Sequence, residues 1–118
     1  MAAPLQNYLR TYRKRSGFSQ DEMAFLLGSS NGAKVSRYEH RVRRPLLETA
    51  LAYEAIFQVP VRELFGGLYR KAEKETVARA QLLATRLPAA KAMRVTPRKL
   101  ALLRAISSGQ PATRAKRL

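Results

Sequence analysis

The chain has 118 residues, enough for one compact domain with an appendage but too few for two full domains. Its 46% hydrophobic and 26% charged content is that of a globular protein and excludes a wholly disordered one. With 23 Lys and Arg against 8 Asp and Glu it carries +15, a field that attracts polyanions, nucleic acid ahead of an anionic membrane surface.

Cysteine is absent, which removes disulfides, thiolate metal sites and a cysteine nucleophile. The N-terminus has no basic region followed by an apolar run, so no signal peptide is expected. No apolar stretch approaches the roughly 20 residues of a membrane span. Residues 1–65 hold 10 Lys/Arg and 6 Asp/Glu, whereas residues 66–118 hold 13 and 2. The first part is balanced enough to fold as an ordinary globule, and the second carries the excess.

In chain order, a first helix is expected from Leu5 to Ser16, with Leu5, Tyr8, Leu9 and Tyr12 at helical spacing and Gly17 as a stop. Ser19 with Glu22 three residues on forms a capping box for a second helix, which shows Met23, Ala24 and Leu27 on one face and ends at Gly28. After a polar segment, a third helix is expected from Asn31 or Gly32 to Glu39, anchored by Val35 and Tyr38. A basic connection, Arg41-Val42-Arg43-Arg44, leads to Pro45, placed in the first turn of a fourth helix that runs to Phe57. Pro60 restarts a short fifth helix with Val61, Leu64 and Phe65, and Gly66-Gly67 is read as closing the compact part.

Leu68 to Leu87 reads as a long amphipathic helix with a stripe of Tyr69, Ala72, Thr76, Ala80, Leu83 and Leu87. Thr96-Pro97 opens a last helix to Ile106, and a solvated basic tail follows from Gly109. No strand pattern occurs, so the fold class is all-α. The predicted organisation is a binding domain over 1–66, a helical extension over 67–108 and a flexible tail over 109–118.

Two short helices joined by a tight polar turn, the second polar outside and apolar inside, form a helix-turn-helix. Ala24 supplies the small residue at the crossing and Gly28 a cheap left-handed turn. The outward set on the third helix is Gly32, Ala33, Lys34, Ser36 and Arg37. A guanidinium can donate two hydrogen bonds to the Hoogsteen edge of guanine, which makes Arg37 the first candidate for base readout. Gly32 and Ala33 would allow close backbone approach, with Asn31 beside them at a helix N-terminus attractive to phosphate. Arg41, Arg43 and Arg44 follow directly and are candidates for phosphate contact, against the plain alternative of a solvated loop.

Asn7 to Phe65 resembles the Cro/repressor-type (XRE-like, lambda-repressor-like) DNA-binding domain, a five-helix all-α fold. The resemblance rests on Ser19-Gln20-Asp21-Glu22-Met23-Ala24, Leu27-Gly28, Val35-Ser36-Arg37-Tyr38-Glu39, Pro45-Leu46-Leu47-Glu48-Thr49 and Val59-Pro60-Val61-Arg62-Glu63-Leu64. It implies that Gln20 touches the DNA backbone or an outer base, that the third helix reads bases through Arg37, and that Arg13 pairs with Glu39 as structure. It also implies a homodimer on a near-palindromic site in double-stranded DNA, and a cytoplasmic, nucleoid-associated protein. The chain departs from the family in two places. One extra residue lies between Gly28 and Val35, so the turn bulges or the third helix starts a residue later. Glu54 stands where a small apolar residue is usual, which leaves that helix face partly exposed.

The function expected is a sequence-specific transcriptional regulator, with its C-terminal segment dimerising or adding backbone affinity. Two other readings stay open: an antitoxin-like adaptor holding a protein partner through residues 68–87, and a non-specific nucleic-acid binder driven by the tail. No Ser/His/Asp set, phosphate-cradling glycine loop or carboxylate pair is recognisable, so no catalytic role, cofactor or metal is expected. His40, the single histidine, is read as a surface residue.

Overall fold

A computed structural model describes residues 5–86 and 96–109. Every regular element among them is a helix: α1 Leu9–Ser16, α2 Gln20–Leu26, α3 Gly32–Glu39, α4 Leu47–Phe57, α5 Val61–Leu64, α6 Gly66–Arg86 and α7 Pro97–Ser107. Contacts divide the chain into two compact units, one ending at Arg70 and the other starting at Lys71. The predicted tail after Gly109 and the expected helix end at Leu87-Pro88 lie outside the described residues.

The first unit packs five helices and the opening turn of α6 around Leu9, Met23, Ala24, Val35, Tyr38, Ala50, Tyr53, Leu64 and Phe65. Aromatic rings fill its centre. Tyr53 lies 5.9 Å from Phe57 and meets Tyr38 edge-on at 6.4 Å, geometries that add a little to plain area burial. Each helix boundary has a local cause. Glu22 and Ser19 cap each other across α2, and Gly28, at φ 78°, closes that helix in a left-handed turn. Glu54, exposed on α4, accepts a hydrogen bond from the Val61 amide at 3.0 Å and so caps α5.

Three boundaries differ from the sequence expectation. Helix α1 starts at Leu9 rather than Leu5, because the preceding polar groups have tertiary partners. Buried Asn7 accepts from the Leu9 amide and donates to the Tyr38 carbonyl, and the Tyr8 amide donates to the Leu64 carbonyl. Helix α4 starts at Leu47, two residues after Pro45, with Leu46 still extended. Gly66 and Gly67 open α6 instead of ending the compact part. A Cβ at Gly67 would lie 2.5 Å from the Leu5 carbonyl oxygen, so the close approach, secured by the Gly67 amide at 2.7 Å, requires glycine.

The second unit has a small core of its own. Ala80 and Leu103 are buried, with Leu83, Leu100 and Ile106 packed on them, and Gln81 donates to the Ser107 carbonyl. Thr96 caps α7 by accepting from the Lys99 amide. The stripe expected on α6 is thus divided: Ala80 and Leu83 serve α7, while Tyr69, Ala72 and Thr76 are exposed.

Candidate nucleic-acid interface

Helix α3 is held from behind by Val35, fully buried, and Tyr38, while Ala33, Lys34 and Arg37 are exposed on its other side and Ser36 is half-exposed. Its two ends are fixed separately. At the N-terminus, Asn31 accepts from the Ala33 amide at 2.9 Å, and Asp21 of α2 reaches across to accept from the Gly32 amide at 2.9 Å. At the C-terminus, the Val42 amide bonds to the Arg37 carbonyl and the Arg41 amide to that of Tyr38, a Schellman closure with Arg41 at φ 62°. His40 donates from its ring to the Ser36 carbonyl at 2.8 Å and is exposed.

Gly32 does not belong to the outward set. It is buried against α2, where an added Cβ would lie 2.8 Å from Asp21 Oδ1 and 3.1 Å from the Gln20 carbonyl carbon. Its role is to let α2 and α3 approach. With Asp21 and Asn31 already on the first two α3 amides, that N-terminus is also less open to phosphate than the sequence suggested.

Behind the exposed face sits a buried ion pair. Arg13 donates from Nε to Glu39 Oε2 at 2.6 Å, from Nη2 to Oε1 at 3.1 Å, and from Nη1 to the Phe18 carbonyl at 3.0 Å. Gln20 adds a fourth bond, from Nε2 to Glu39 Oε1 at 3.2 Å. The fork of Arg13 on Glu39 raises the guanidinium pKa above its ordinary value, against the opposing effect of burial. This network locks the end of α3 to α1 and to the first residue of α2. One N–H of the Gln20 amide is therefore committed inward, which leaves its oxygen and its second N–H for an outside partner.

Two sets of exposed cations line concavities. Lys34, Arg43 and Arg44 line a cleft of about 280 Å³ together with Ser29, next to the turn. Gln20, Asn31 and Ala33 border an open groove on the other side, and there Arg10 and Lys14 of α1 join them. Those two exposed cations were missed from sequence, where α1 was read for its apolar spacing and for Arg13. Their separation of four residues on one helix was the available signal. Arg41 is exposed and lines neither concavity.

A comparison with known families matches residues 9–64 to the helix-turn-helix family. That segment, just under half of the chain, is similar to the helix-turn-helix family model, which supports its resemblance to the Cro/repressor type. No curated protein and no solved structure matches the chain. The helix-turn-helix domain is a DNA-binding domain of the regulator type, and its elements are those described: α2, the Gly28 turn and α3. Among the described residues no helix is long and apolar enough to cross a membrane.

Proposed function

We propose that the helix-turn-helix domain, residues 1–66, reads a specific site in double-stranded DNA by laying α3 in the major groove. One observation carries this: Val35 and Tyr38 pin α3 to the core while Ala33, Lys34 and Arg37 stand exposed on the far side. Arg37 is the base reader, suited to the two acceptors of guanine, and Ala33 and Ser36 offer small surfaces beside it. The cleft of Lys34, Arg43 and Arg44 receives a backbone phosphate on one flank. Arg10, Lys14, Asn31 and the Gln20 side-chain oxygen meet the backbone on the other. Arg41 adds charge near the first flank.

We further propose that two copies bind together as a transcriptional regulator. In support, Val42, Leu46, Leu47 and Leu51 are 72%, 72%, 69% and 50% exposed within one short stretch that begins just past the end of α3. Scattered exposed apolar residues are ordinary, whereas contiguous apolar patches mark interfaces, and Leu47 and Leu51 stand one turn apart on α4. A second copy held there would set two α3 helices on one duplex.

Selection of bound sites from a pool of random duplexes tests both parts. The expected consensus is two inverted half-sites about 10 base pairs apart, centre to centre. A single unpaired half-site would end the dimer reading, and the absence of any consensus would end the sequence-specific one.

A further inference from the structure

Acidic residues stop at Glu75. From Thr76 to Leu118 the chain has ten Lys and Arg and no Asp or Glu in 43 residues. Part of this segment is folded, since α6 from residue 76 onward and α7 share the core of Ala80, Leu83, Leu100, Leu103 and Ile106. Five of the ten cations, Arg79, Arg86, Arg98, Lys99 and Arg104, therefore lie on folded helices. Arg79 and Arg86, two turns apart on one side of α6, are exposed, as are Arg98 and Arg104 on α7. None of the four forms an ion pair with a described carboxylate.

Stability alone does not account for this pattern. The first turn of a helix favours anions, yet α7 has no acid there and carries Arg98 and Lys99 instead. One-signed charge also repels itself when the chain is compact. Cations placed against both preferences fit an external polyanion. A lipid surface fits less well, because a helix lying in a membrane interface needs a broad apolar face. Here the apolar side of α7 is used on α6, and among the described residues of this unit Leu82 and Leu102 are the large apolar side chains left exposed.

We infer that Arg79 and Arg86 of α6 and Arg98 and Arg104 of α7 bind DNA phosphates without regard to sequence, as a second contact tethered to the helix-turn-helix domain. This rests on the reading of that domain as the part that finds the duplex. The tether makes the second contact intramolecular, so modest phosphate affinity becomes effective once the domain is bound.

The test replaces Arg79, Arg86, Arg98 and Arg104 together by Gln in the full chain. A matching set of Arg→Lys changes keeps the charge. Each neutralised phosphate contact should flatten the plot of log affinity against log salt by about 0.9, so the Gln set is expected to lower the slope by up to roughly 3.6 between about 50 and 200 mM salt. That loss should occur on a preferred duplex and on a random-sequence duplex alike, with their affinity ratio unchanged and the Lys set close to wild type. An unchanged slope would overturn the inference. So would a changed ratio, a Lys set as weak as the Gln set, or wild-type binding to phosphatidylserine vesicles that exceeds binding to the random duplex. A wild-type chain that shows no preferred duplex would count against the site-reading proposal, whereas the slope change on random duplex would still stand.

Discussion

Glu39 accepts three hydrogen bonds in a nearly buried position, two from Arg13 and one from Gln20. A buried ion pair adds little net stability over well-packed apolar side chains, but removing one partner strands the other. Arg13→Ala should therefore cost about 3–5 kcal/mol in denaturant unfolding, and Arg13→Lys should recover little because an ammonium lacks the fork. A cost below about 1 kcal/mol, the range of an exposed pair, would contradict the described burial. The Tyr53 hydroxyl is the contrasting case. It is buried, has no hydrogen-bond partner among the described residues, and is pushed well above the ordinary tyrosine pKa, chiefly by burial. Tyr53→Phe removes no bond, so at neutral pH stability should change by less than about 1 kcal/mol. In the unfolded chain a tyrosine ionises near pH 10, while the buried one stays protonated there. Its contribution is complete below that pH and is lost as pH rises toward the folded value. Wild type should thus lose stability above about pH 10 more steeply than Tyr53→Phe, as read by unfolding midpoints across that range. Parallel profiles would contradict the placement of Tyr53.

At the scale of the helices, patterns that act within a few residues were legible. The Ser19–Glu22 capping box, the left-handed Gly28, the Val35/Tyr38 face and the Thr96-Pro97 opening all show in the sequence because each depends on neighbours along the chain. What depends on another element did not show. Gly32 was read as an outward, DNA-approaching residue because spacing alone cannot tell a glycine that meets a ligand from one that meets a helix. Asp21 was likewise invisible as the acceptor for the Gly32 amide, eleven residues away. Gly66-Gly67 carries the composition of a stop, and only the nearness of Leu5 explains why it opens α6. Gly32→Ala tests the α2–α3 contact. The new methyl meets the Gln20 carbonyl carbon at 3.1 Å and Asp21 Oδ1 at 2.8 Å, so the helices must move apart. Overpacking of this kind costs about 1–3 kcal/mol, and thermal unfolding should show it together with weaker DNA binding. Ala33→Ser, at an exposed neighbour, should leave the melting temperature unchanged. Equal melting temperatures for the two variants would mean that Gly32 is not a packing residue.

Over the whole chain, charge was the most readable property and tertiary partnership the least. The excess of cations after residue 65 was plain in the sequence, and it suggested an appendage distinct from the domain. The amphipathic stripe of α6 was also plain, but not its partner, because a stripe reports that something covers it and not what. The structure supplies α7 for Ala80 and Leu83. Under the two proposals the DNA-binding domain and the basic segment divide the work, one recognising a site and the other adding salt-sensitive affinity that carries no sequence information.

The proposed site reading rests on one exposed guanidinium on α3, that of Arg37. The most direct test is to select sites from random duplexes with wild type and with Arg37→Ala, and to measure the affinity of both for the wild-type consensus. The variant should lose about 1–3 kcal/mol on that site, and its own selected sites should lose a guanine preference at one position in each half-site. An Arg37→Ala protein with full affinity and an unaltered consensus would show that α3 does not read the groove in this way.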